Sequence, residues 1–165
     1  MSVPDAPASF FDTSVLFYLL SNEAAKANRV EQLLAARGVI SVQVLNEFAA
    51  VALRKLRLPL SDVKEILDTV RAVCSVEPVT VATHDRGLEV CKRYKFSWYD
   101  SLIVASALIA GAKVLYAEDM QHGQVIDKQL RVVNPFLRRG KEGEIIRLIS
   151  ARKADAHERA QYREI

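Results

Sequence analysis

The sequence predicts an α/β fold, a three-layer α/β/α sandwich around a mostly parallel sheet of about five short strands. Short apolar or β-branched runs alternate along the chain with stretches of helical periodicity, which is the order that gives parallel strands joined by covering helices. One helical stretch, Tyr99 to Ala110, is apolar on every side and so belongs at the centre of such a sandwich. The composition supports one compact body with a real core: 165 residues, 50% of them hydrophobic, with 26% charged, which argues against wholesale disorder.

Ser9-Phe10-Phe11 reads as a short buried strand ending at Asp12, with a helix from about Ser14 to Leu20. Ser21 or Asn22 can cap a second helix through Arg37, where Ala27, Val30 and Leu34 form an apolar stripe. Gly38 ends it, and Val39-Ile40 makes the second strand. Ser41 caps a helix to about Leu56 with Val44, Phe48, Val51 and Ala52 facing inward. Pro59-Leu60-Ser61 is a turn, and Ser61 caps another amphipathic helix carrying Val63, Ile66, Leu67 and Val70. Val76 to Val81 has the β-branched character of a strand, and Pro78, which cannot donate to a ladder, places it at an edge. Thr83 caps a helix to about Tyr94, the central helix follows, and Gly111 closes it. Val114 to Ala117 is a strand that delivers Glu118 and Asp119 at its end, and Arg131 to Pro135 is the last strand. There are no internal repeats and no low-complexity segment.

Charge divides the chain at Leu137. Residues 1–137 hold 15 Lys+Arg and 15 Asp+Glu and are neutral; residues 138–165 hold 8 basic and 5 acidic groups, and hence the whole excess of +3. The first part is the folded domain. The second is a basic extension, partly helical or disordered, with one apolar patch at Ile145, Ile146, Leu148 and Ile149. Any pull on a polyanion is expected in this extension. Cys74 and Cys91 give neither a disulfide framework nor a zinc spacing, and are expected as buried free thiols in a reducing compartment. No signal peptide or membrane span is read, because Asp12 interrupts the one candidate run; the expected location is cytoplasmic.

Four acids, Asp12, Glu47, Asp100 and Asp119, each lie where a strand or helix is expected to meet its loop. An alternating α/β fold gathers the carboxyl ends of its parallel strands at one edge, so these four can meet in space. Like charges about 4 Å apart repel by roughly 4 kcal/mol per pair at an effective dielectric near 20, so such a group holds protons or a divalent cation. Each acid also has a plainer role. Asp12 is a good helix cap, Glu47 a mid-helix acid bordering an apolar stripe, and Asp119 a loop residue. Asp100 opens the most hydrophobic helix of the chain, where the macrodipole favours an acid but desolvation disfavours it.

Four segments carry a resemblance: Phe10-Phe11-Asp12-Thr13-Ser14, Ile40 to Phe48, Trp98 to Ala107, and Glu118-Asp119-Met120-Gln121-His122-Gly123. In order and spacing they resemble the successive motifs of PIN-domain nucleases, and among these the VapC-type ribonuclease toxins of prokaryotic toxin–antitoxin pairs. The resemblance covers about residues 8–137; the extension departs from it. It implies a PIN-like nuclease domain at 1–137 whose acidic metal site maps onto Asp12, Glu47, Asp100 and Asp119. It further implies hydrolysis of RNA phosphodiester bonds with Mg²⁺ or Mn²⁺, restraint by a small antitoxin protein, and a homodimer. Hard divalent ions take oxygen ligands. One held by Asp12 and Asp100 would lower the pKa of a bound water, with Asp119 completing the shell and Glu47 binding metal or orienting that water. Thr13 or Ser14 would bond a carboxylate or phosphate, with turn stabilisation serving them equally well; His122 lies near the expected site as a candidate for touching substrate, but with no metal-spaced companion it reads first as an incidental loop histidine.

Asp85 suits a helix start, and Glu118 should point away from its neighbour Asp119. Trp98 and Tyr99 have rings that stack on bases, yet at the edge of a buried helix they are expected to pack. The chain has no phosphate-binding glycine loop and no nucleophile elbow. An inactive PIN-like scaffold for RNA or protein is the main alternative. A phosphotransfer enzyme with an Asp nucleophile fits poorly, because no Asp-x-Asp pair follows the first strand.

Overall fold

The computed structural model describes residues 8–139 and 145–147. Its main sheet has six strands: β1 (Ser9–Phe11), β2 (Gly38–Ser41), β3 (Cys74–Glu77), β4 (Val114–Tyr116), β5 (Val125–Ile126) and β6 (Leu130–Val133). They lie in the order β3-β2-β1-β4-β6-β5. The first five in that order are parallel, and β5 pairs antiparallel with β6. The expected sheet of about five strands therefore gains one. β5 is only two residues long, too short for a periodic signal, and it exists because the turn Ile126 to Gln129 folds the chain back on β6. Asp127 (φ 48°) and Lys128 (φ 57°) supply the left-handed backbone that this turn requires.

Six helices cover the sheet: α1 (Thr13–Leu16), α2 (Ala24–Ala35), α3 (Val42–Arg54), α4 (Leu60–Val73), α5 (Val81–Tyr94) and α6 (Trp98–Ile109). The expected helix from Ser14 to Leu20 is split, α1 giving way to a 3₁₀ turn at Phe17–Leu20. Ser41 caps α3 as expected, accepting from the Val44 amide at 3.3 Å. Two other caps differ from the sequence reading. Thr80 caps α5, and Thr83 is its reciprocal partner three residues on, each side chain accepting from the other's amide. α4 begins at Leu60 without a side-chain cap, one residue ahead of Ser61. α2 starts only at Ala24, with Ser21 accepting from the Glu23 amide just before it.

The core runs through both faces of the sheet, with Phe10, Phe11, Ile40, Leu115 and Ile103 fully buried. α6 is buried from Ser101 to Leu108, as its all-round apolar pattern requires. Gly38 opens β2 where a side chain has no room: a Cβ there would lie 3.0 Å from the Cys74 Sγ and 3.0 Å from the Leu34 carbonyl oxygen. Cys74 is buried, and burial pushes its thiol up to about 11; Cys91 is half-buried with its thiol directed at the Phe96 carbonyl. Past the main sheet, β7 (Leu137–Arg139) and β8 (Ile145–Arg147) form a separate antiparallel pair. Ile145 and Ile146, expected on a docked helix, are thus on a strand. Leu148, Ile149 and the polar end of the extension lie outside the described residues. Among the described residues no helix is long and apolar enough to cross a membrane.

Candidate metal centre

β1 and β4 are adjacent at the middle of the sheet, and the chain leaves them toward opposite sides, β1 to β2 and β4 to β6. The crevice at the carboxyl ends of such a pair is where open α/β sheets place ligands. Phe11 is in register with Tyr116, and the Asp12 amide continues the pairing by donating to the Tyr116 carbonyl at 2.9 Å. Asp12 is therefore fixed at the crevice by its backbone. Its side chain is 7% exposed, and it also caps α1, as its plainer role required.

The two Asp12 oxygens are treated differently. Oδ2 accepts from both the Ser14 amide (3.2 Å) and the Ser14 hydroxyl (2.5 Å), while among the described residues Oδ1 accepts no hydrogen bond. Burial pushes the Asp12 carboxyl up to about 6; the Ser14 hydroxyl opposes this, and the charges of Asp100 and then Glu47 add to it. These two acids arrive from other elements. Asp100 is half-buried in the first turn of α6, behind the Ser97 cap, and Glu47 is half-buried on α3. Both Glu47 oxygens are held: Thr13 donates to one at 3.2 Å and Gln43 to the other at 2.8 Å.

Two residues from β1's exit and the loop after β4 extend the network. The Ser14 hydroxyl accepts from the Glu118 amide at 3.3 Å, and the Glu118 carboxylate accepts from the Tyr18 hydroxyl at 2.6 Å. Tyr18 lies against Phe136 (ring centroids 4.2 Å apart), and burial followed by the Glu118 bond raises its pKa. Lys26 stands over the same ring at 5.3 Å.

The sequence of residues 9–127 matches the model of the PIN domain. The chain belongs to the PIN domain family. No curated protein matches it at the sequence level. The fold of this PIN domain is similar to that of VapC20 from Mycobacterium tuberculosis, described as a sarcin–ricin loop cleaving toxin. Their identity is 24% over 68% of this chain and 90% of that one, with a TM-score of 0.56. It is similar also to a chain of a toxin–antitoxin complex from Klebsiella pneumoniae (19% identity, 78% and 98% covered, TM-score 0.59). A third likeness is to a chain of DNA-bound VapBC from Salmonella typhimurium (17% identity, 77% and 97% covered, TM-score 0.58).

In this PIN domain the structure brings Asp12, Glu47 and Asp100 into one electrostatic group. Asp119, three residues beyond β4, is exposed, and its charge acts on Tyr18. Among the described residues no three His, Cys, Asp or Glu side chains stand close enough together to enclose a metal ion. The donor chemistry nonetheless fits a hard divalent cation: Asp12 is a nearly buried carboxylate with one oxygen fixed and the other open, repelled by two further carboxylates. His122 accepts from the Asn134 amide through Nδ1 at 3.0 Å and so ties its loop to the end of β6. Thr13 and Ser14 both bond carboxylates of the group. Sequence reasoning missed Gln43, although its spacing of four from Glu47 on one helix was a usable signal. It assigned Glu118 no partner, because nothing in the sequence links residues 18 and 118.

Proposed function

We propose that this PIN domain is a metal-dependent endoribonuclease, the toxin of a toxin–antitoxin pair, working as a homodimer and restrained by a small antitoxin protein. The observation that carries this reading is the meeting of Asp12, Glu47 and Asp100 at the switch point of a PIN-family sheet. In the reading, Asp12, Asp100, Asp119 and Glu47 would hold Mg²⁺ or Mn²⁺, which when bound would activate a water and neutralise charge at phosphorus. Ser14 holds Oδ2 of Asp12, and among the described residues Oδ1 accepts no hydrogen bond, which leaves it for a cation. Thr13 and Gln43 hold Glu47 beside it, where a carboxylate is placed to orient a water. Asp119 and His122 come from the loop after β4, and in this reading His122 would lie near the RNA. The likeness to a sarcin–ricin loop cleaving toxin supports the substrate class, and the likeness to a chain of a toxin–antitoxin complex supports the antitoxin partner.

A single assay tests it. The purified chain is expected to cut members of a broad RNA panel with Mg²⁺ or Mn²⁺, to stop in EDTA, and to be inactive as Asp100→Asn. Cleavage that survives Asp100→Asn overturns the site. A second reading, a PIN-like scaffold for RNA or protein, draws on the spacing of the acids, which as they stand do not enclose an ion. Wild-type inactivity together with no Mn²⁺ binding by calorimetry favours that reading.

A further inference from the structure

α6 is buried from Ser101 to Leu108 and emerges at its amino end beside the acidic group, since Asp12 feels the charge of Asp100. Two aromatic residues share that first turn, and they are used differently. Trp98 packs as the sequence suggested: its ring meets His84 edge-on at 5.2 Å and lies against Gly87. Tyr99 does not pack. It is 60% exposed, and among the described residues neither its ring nor its hydroxyl has a partner. Yet the positions one and two turns further on its own helical stripe, Ile103 and Ser106, are 0% and 2% exposed. The stripe that Tyr99 continues is covered by protein further along α6 and ends, in the turn that carries Asp100, in an open phenol ring.

We propose that Tyr99 is a stacking platform for an unpaired base of the RNA strand whose phosphate lies at Asp12 and Asp100. The inference rests on the nuclease reading and adds a substrate contact to it. Tyr99 and Asp100 are consecutive in the first turn of α6, so their side chains leave the helix about 100° apart, and the long tyrosine side chain is offered to a base flanking the phosphate rather than to the phosphate itself. An aromatic face accepts any base, because every base has a π-face. Tyr99 therefore selects for an unpaired nucleotide and not for its identity. A ring so exposed adds little to the fold, so removing it should change binding and leave folding alone.

The experiment compares full-length wild type, Tyr99→Phe and Tyr99→Leu. In EDTA, binding is measured to a fluorescein-labelled oligoadenylate and to an abasic ribose-phosphate oligomer of equal length. Tyr99→Leu should bind oligoadenylate about 5- to 150-fold more weakly, the range that loss of one base–aromatic stack gives. Its affinity for the abasic oligomer should be unchanged, and Tyr99→Phe, which keeps the ring, should behave as wild type. On an RNA that the wild type cuts, Tyr99→Leu should raise KM and leave kcat alone. Equal oligoadenylate affinity in Tyr99→Leu would assign the ring to a protein contact and overturn the proposal, as would an equal loss on the abasic oligomer. The two levels separate cleanly. If wild type cuts RNA and Tyr99→Leu has the same KM, only the platform falls. If wild type neither cuts nor binds RNA, the nuclease reading falls and takes the platform with it.

Discussion

Asp12 holds two opposing demands in one side chain: a backbone position fixed by Tyr116 and a charge that its surroundings resist. Its carboxyl stands at about 6 in the fold against an ordinary 3.8. Below about pH 4 it is protonated whether the chain is folded or not, and it costs nothing. As pH rises from there to about 6 the folded state keeps its proton longer than the unfolded one, so stability falls; above that the full cost is present, about 3 kcal/mol for a shift of about two units. Asp12→Asn removes this titration. In EDTA at about pH 7.5 the variant should resist urea better than wild type by roughly that amount, match it near pH 3.5, and cut no RNA. Identical urea midpoints at the higher pH would mean that the buried charge is not strained. Ser14→Ala takes away the hydroxyl that opposes burial, so the Asp12 titration should move further up, as read by ¹³C-carboxyl NMR of the metal-free protein. No motion of that resonance's midpoint would show that Ser14 does not set the charge state. At this scale the sequence singled out acids of which three share one field, and it was silent about who holds them. Asp12 with Ser14 is local and readable; Tyr18 with Glu118 spans 100 residues and leaves no local trace.

Elements were legible where local chemistry alone decides them. The α6 segment is apolar all round, so no other placement satisfies it. The strand expected from Val76 to Val81 is β3, at Cys74–Glu77; it is the outermost strand on its side, as expected, but Pro78 lies just past it and Val81 already opens α5. The failures were matters of a few residues or of long-range partners. Thr83 looked like a cap because it is one half of a capping box, but the reciprocal bond makes Thr80 the first member. Thr80→Ala should therefore cost about 1 kcal/mol in chemical denaturation. β5 has no pattern of its own and is held from outside its sequence neighbourhood. Asp127, in the turn that makes it, is clamped by Arg86, by Arg93 at 2.8 Å and by the Tyr94 hydroxyl at 2.7 Å, all from α5. The Tyr94 bond, followed by the Arg93 one, holds the Asp127 carboxyl below the usual range. Gly38 gives a second test of packing between elements. Its missing Cβ leaves space already taken by backbone at Leu34, so Gly38→Ala should destabilise the domain by about 1–3 kcal/mol and lower the thermal midpoint. A neutral result would mean that α2 slides away from β2 without cost.

For the whole molecule, the alternating layers and the mostly parallel sheet were legible, because both follow from strand order and helix cover. Of the four expected acids, Asp12, Glu47 and Asp100 share one field, and Asp119 is exposed on the loop after β4, where its charge acts on Tyr18. Loop geometry after β4 decides that, and loops have no periodicity to read. Electrostatics belongs to this scale as well. The body of 137 residues is neutral and the remaining 28 carry the entire +3. A chain ending at Leu137 should therefore bind RNA more weakly, with a shallower dependence of log affinity on log salt. An unchanged slope would exclude the extension from phosphate contact. The margins of the main sheet carry one more consequence. On one flank β3 has four residues and meets Pro78 straight after; on the other, β5 has two. A neighbouring molecule at high concentration finds little unpaired backbone to zip onto, and growth into ordered fibrils by strand addition is blunted from both directions.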